Sequence, residues 1–68
     1  DALMLALAQL TRRERAVVVL RFYQDLSEAQ IADALGIAPG TVKSTNLRAM
    51  RKLRGSAHLQ REPLKGQQ

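Results

Sequence analysis

The 68-residue sequence predicts an all-α fold: a small four-helix domain with a C-terminal helix-turn-helix, winged-helix-like but without a wing. Three observations carry that prediction. Apolar residues recur at helical spacing through most of the chain. Two capping-box patterns, Thr11 with Glu14 and Ser27 with Gln30, mark helix starts. A glycine at 36 and a proline at 39 punctuate the stretch between two further helical segments.

The first helix is expected over Asp1 to Gln9, with Leu3, Leu7 and Leu10 as its apolar stripe. The second begins after Thr11 and runs to about Gln24. Its valines at 17–19 would suit a strand, but the capping box and the charges at 12–15 and 21 favour a helix with Val17 and Leu20 inward. The third begins at Ser27 and buries Ile31, Ala32 and Leu35. Gly36 fits the left-handed residue that ends a helix, and Ile37 can plug the core beneath the turn. Pro39 suits the first position of the fourth helix, where its missing N–H costs nothing, although Ala38 is a poor N-cap. That helix should end at Leu53 or Arg54, before Gly55. Residues 1–54 thus form one domain, with the helix-turn-helix at about 27–50. Residues 55–68 are polar and aperiodic, hold Gly and Pro, and read as a flexible tail.

Composition narrows the function. There is no cysteine and a single histidine, His58, so disulfides and the usual zinc sites are excluded; no metal or cofactor is expected. No close pair of carboxylates falls in a predicted cleft, so an enzyme and a small-molecule substrate are not expected. No apolar run approaches the roughly 20 residues of a membrane span. The chain begins at Asp1, as a fragment of a longer protein would, so targeting signals could lie outside it.

Charge is the informative quantity. The net charge is +5, but residues 1–38 carry −1 and residues 39–68 carry +6. Such asymmetry points to a polyanion, against the plainer reading of a solvated basic face or tail. On a wheel of about 100° per residue, Val42, Asn46, Ala49 and Leu53 share one side of the fourth helix. Lys43, Ser44, Leu47, Arg48, Arg51 and Arg54 share the other. A short helix, a turn with glycine and a second helix with a basic outer face are the parts of a helix-turn-helix that presents its second helix to a DNA major groove.

Roles follow from side-chain chemistry. Arg48 can fork onto a guanine edge, and Lys43 can reach a guanine or a phosphate. Ser44 can bond a base or a phosphate. Leu47 reads equally as a thymine-methyl contact or as an ordinary exposed leucine. Thr41 and the start of the fourth helix suit a phosphate. Ser27 could clamp another phosphate or act only as an N-cap. Arg51 and Arg54 add sequence-independent attraction. Asn46 conflicts with the inward stripe: it needs a backbone partner, or a helix rotated so that it touches DNA. A buried amide without a partner costs about 1–3 kcal/mol.

The stretch LTRRERAVVVLRFYQDLSEAQIADALGIAPGTVKSTNLRAMRKLR, Leu10 to Arg54, closely resembles region 4 of bacterial sigma-70 factors, especially the extracytoplasmic-function (ECF) group. The most specific parts are VVLRFYQDLSEAQIA, GTVKS, Arg48–Ala49 and Leu53–Arg54. The resemblance implies a cytoplasmic, nucleoid-associated domain that reads the −35 promoter element through its last helix. It also implies contact with the β flap of RNA polymerase and possible sequestration by an anti-sigma factor. Carried across by position, the DNA-contacting pattern falls on Thr41, Lys43, Ser44, Leu47 and Arg48, with Thr45 beside them. The chain departs from the pattern at Thr45 and Asn46, where Arg-Leu is common, and at Ala38, where Ser is common. A LuxR-type response-regulator domain shares the LT.RE start and the TVK, but RFYQDLSEAQ is sigma-like. A basic protein-interaction module is the alternative from another class, and salt dependence distinguishes it from a DNA binder.

Overall fold

The computed structural model describes residues 1–56. The expected tail lies outside them from residue 57 on. The described residues are helical, in the order α1 (Ala2–Ala8), α2 (Arg12–Val18), α3 (Glu28–Leu35) and α4 (Pro39–Arg54), and α2 continues as a π-helical turn, Val19–Tyr23.

Each helix start has a local cause. The Asp1 carboxylate accepts from the Met4 N–H at 2.9 Å. Both expected capping boxes are formed. Thr11 Oγ1 accepts from the Glu14 N–H while Glu14 Oε1 accepts from the Thr11 N–H, and Ser27 and Gln30 repeat the exchange. The carbonyls at the end of α1 are satisfied from α2: Arg15 donates to Leu7 O at 3.1 Å and to Leu10 O at 3.2 Å. This bond set ties α1 to the rest of the domain.

Two clusters form the core. Val17, Ile31, Ala32 and Val42 make the first, with Leu20, Leu26, Leu35 and Ile37 packed against them. Leu10, Val18 and Ala49 make the second, flanked by Leu7, Met50 and Leu53. Ile37 sits under the turn as expected. Gly36 has φ 68°, the left-handed geometry that ends α3, and the Ile37 N–H donates to Ala32 O at 3.0 Å. Three residues, Gly36 to Ala38, therefore separate α3 from α4.

Three expectations need correction. Leu3 is 42% exposed; on α1 it is Ala6 that is fully buried, while Leu7 packs at the edge of the second cluster. The second helix is α-helical only to Val18. Beyond it Gln24 N–H reaches back to Val19 O at 3.1 Å and Leu26 N–H to Leu20 O at 3.0 Å, a widened turn. Valines crowd the preceding turn of a tight helix, so the ladder yields where Leu20 and Leu26 must both reach the first cluster. Thirdly, Thr45, expected at the DNA, is fully buried with Val42 and Ala49.

Candidate nucleic-acid interface

Helix α4 is the longest element and packs against both α2 and α3. Its inner face is Val42, Thr45 and Ala49, with Asn46, Met50 and Leu53 half-buried beside them. Its outer face carries Lys43, Ser44, Leu47, Arg48, Arg51 and Arg54, all exposed, with Leu47 at 53%. No acidic residue lies on this helix. The turn at Gly36 holds that face away from the core, since Ile31 and Val42 close against each other on the opposite side.

Thr45 belongs inside because it stands three residues after Val42 and four before Ala49, in line with both. Its Oγ1 accepts from Arg48 Nη2 at 3.3 Å. Asn46 sits at the flank of this face, and its Oδ1 is buried without a hydrogen-bond partner. The backbone bond considered from the sequence is not formed at Oδ1, and the helix is turned so that Thr45 rather than Asn46 lies innermost.

The start of α4 has no side-chain cap. Ala38 is the N-cap residue, Pro39 occupies the first turn, and Thr41 and Val42 donate to Ala38 O. Thr41 is half-buried here. Ser44 Oγ donates to Thr41 O at 3.2 Å, so that hydroxyl offers its lone pairs outward rather than its proton. Ser27, exposed at the start of α3, is the N-cap that accepts from the Gln30 N–H at 3.1 Å.

Electrostatics at this face turn on a residue of another helix. Glu14 of α2 has a side chain only 5% exposed, and it faces two cations of α4. Lys52 Nζ donates to its Oε1 at 2.8 Å, and Arg48 Nε lies 3.8 Å from its Oε2. The Lys52 hydrogen bond, joined by that of the Thr11 N–H, holds the Glu14 carboxyl below its ordinary range against the opposing effect of burial. Sequence reasoning treated Glu14 as a capping residue alone. Its second role spans 38 residues of chain, and no local pattern signals it.

Among the described residues no group of His, Cys, Asp and Glu could hold a metal ion, and no helix is long and apolar enough to cross a membrane. A second surface is apolar: Met4 is 63% and Tyr23 73% exposed, and with Leu7, Ala8, Arg15 and Val19 they line a groove between α1 and the end of α2.

Comparison with known proteins gives a consistent result. A family model described as "Sigma-70, region 4" matches residues 1–53. The chain is 55% identical over 49 residues to the ECF RNA polymerase sigma factor SigL of Mycobacterium tuberculosis, covering 72% of this chain and 28% of that protein. It is 48% identical over 52 residues to the RNA polymerase sigma-E factor of Streptomyces antibioticus, covering 76% of this chain and 29% of that one. It is 42% identical over 59 residues to the ECF RNA polymerase sigma factor SigX of Bacillus subtilis, covering 87% of this chain and 30% of that one. The chain therefore spans under a third of the length of these relatives.

Proposed function

The chain belongs to the sigma-70 region 4 family, and from that premise we propose that it binds promoter DNA through the outer face of α4, reading the −35 element for an ECF-type sigma factor. One observation carries the reading. A helix with no acidic residue buries Val42, Thr45 and Ala49 and leaves Lys43, Ser44, Leu47, Arg48, Arg51 and Arg54 exposed, behind a three-residue turn. Such a face matches a groove lined by phosphates. Lys43, Arg51 and Arg54 supply attraction to phosphates, Thr41 positions the helix start, Ser44 accepts from a base donor, and Arg48 with Leu47 meets base edges. Ser27 stands at the start of α3, where a second phosphate would lie. Thr45 contributes from inside, as a support for Arg48.

The protein partners we propose are RNA polymerase core, through its β flap, and an anti-sigma factor. Support comes from the family and from a group of apolar residues exposed on α1 and the end of α2, among them Met4, Phe22 and Tyr23, apart from the basic face of α4.

The test is a fluorescence-anisotropy titration of the chain with a duplex bearing an ECF-type −35 element and with a scrambled duplex, each at two salt concentrations. Tighter binding to the first is expected, weakening steeply with salt. Arg48→Ala should reduce the discrimination by roughly 1–3 kcal/mol. Equal loss on both duplexes would remove Arg48 from base reading, and no binding at low salt would sink the DNA reading itself.

A further inference from the structure

We propose that Glu14 is a positioning residue for the DNA-facing helix: its carboxylate withholds Arg48 and Lys52 from phosphates and so fixes the direction from which Arg48 approaches the bases. The inference rests on the DNA reading above and deepens it. Three observations carry it. Glu14 is nearly buried, yet Arg48 and Lys52, with side chains 55% and 44% exposed, converge on it from the next-but-one helix. The two contacts use different carboxylate oxygens, Oε1 for Lys52 and Oε2 for Arg48. Arg48 is held at a second point, since its Nη2 donates to the buried Thr45 hydroxyl.

The chemistry has two consequences. An arginine free on a helix surface bonds any phosphate within reach, which adds affinity on every sequence alike. An arginine bonded through Nη2 to Thr45, with its Nε side drawn toward a carboxylate 3.8 Å away, is biased toward one orientation of its fork. A carboxylate beside it also disfavours the indiscriminate contact, because a phosphate must compete with the Glu14 charge for the same guanidinium. Glu14 thus lowers non-specific binding and raises the share of binding that depends on base identity. Its position in the capping box makes the arrangement rigid: the Thr11 N–H already holds Oε1 at 2.8 Å.

Glu14→Gln isolates this role, because Gln at the same position keeps a capping box, as Gln30 does in α3. Lys52→Met is the companion variant, leaving Glu14 charged beside Arg48. Each is titrated, below its melting temperature, with the two duplexes named above at about 50 and 200 mM salt. Glu14→Gln should bind the scrambled duplex more tightly than wild type at low salt. Over that salt range it should lose about threefold more affinity than wild type for each additional phosphate it neutralises. Its preference for the −35 duplex should fall, and Lys52→Met should keep that preference. Unchanged salt slope and preference in Glu14→Gln, or equal weakening on both duplexes, would overturn the proposal. 15N relaxation of the Arg48 Nε–H in the DNA-free chain separates the two hypotheses. It should be ordered in wild type and mobile in Glu14→Gln, and equal mobility in both would overturn the tether whatever the DNA result. Failure of wild type to bind either duplex, with Arg48 ordered as expected, would instead remove the DNA reading while the tether stood.

Discussion

Gly36 at φ 68° occupies a region where a Cβ crowds the following carbonyl. No other atom stands within 4 Å of where that Cβ would be, so the strain is purely local. Gly36→Ala should cost about 1–2 kcal/mol in urea melts, with Gly36→Asn costing less. An equal cost for both would mean that the side chain meets something beyond its own backbone. Asp25 takes the same left-handed geometry, φ 59°, just before Leu26 turns into the core; a short polar residue tolerates it. Asn46 is the opposite case. Its buried Oδ1 has no partner, so replacing it with an apolar residue of similar size removes a desolvation penalty. Asn46→Leu should stabilise the fold by about 1 kcal/mol, read as a raised melting temperature. A fall in stability would show that the amide holds the helix through an interaction other than the Oδ1 acceptor.

At the scale of elements, the contact of α2 with α4 carries most of what is specific to this domain. Ala49 is fully buried where α4 meets Leu10 and Val18. Only a small side chain fits there, and Ala49→Leu should destabilise by about 1–3 kcal/mol through overpacking, measured by chemical denaturation. The same contact brings Lys52 to Glu14. Because Glu14 titrates below its ordinary value of about 4.5, its charged interactions contribute fully above that pH and are lost as pH falls through the lower folded-state value. The wild-type melting temperature should therefore drop on acidification below about pH 4.5 more steeply than that of Glu14→Gln. Parallel curves would assign the acid sensitivity to other carboxylates. The π turn that follows α2 is a further product of packing: it lets Leu20 and Leu26 both reach the first core cluster, which a continuous α-helix to Gln24 was not expected to need.

For the whole molecule, a net charge of +5, with +6 gathered in residues 39–68, means that stability and binding should part company in salt. The core is apolar, so melting should change little between about 50 and 200 mM salt, while affinity for a duplex should fall by about threefold or more per phosphate contacted. Comparable losses of stability and affinity would mean that the cations chiefly hold the fold. The two clusters also divide the work: one closes the corner between α3 and α4, and the other clamps the middle of α4 to α2. Helix direction and helix exposure are set separately.

What the amino-acid sequence determined by itself was whatever depends on near neighbours in the chain. Helix starts at Thr11 and Ser27, the stop at Gly36, the first-turn Pro39 and the basic outer face from Lys43 to Arg54 all rest on spacings of a few residues. Capping, backbone sterics and helical periodicity act over such spacings, so these features were legible. Only the tertiary structure decided that Thr45 is core and Asn46 a half-buried flank, since a wheel fixes relative angle but not which arc the neighbours cover. The π turn, the exposure of Leu3 and the convergence of Arg48 and Lys52 on Glu14 belong to the same class. Each is settled by elements far apart in the chain competing for one volume, and close packing admits few solutions that no local rule can single out.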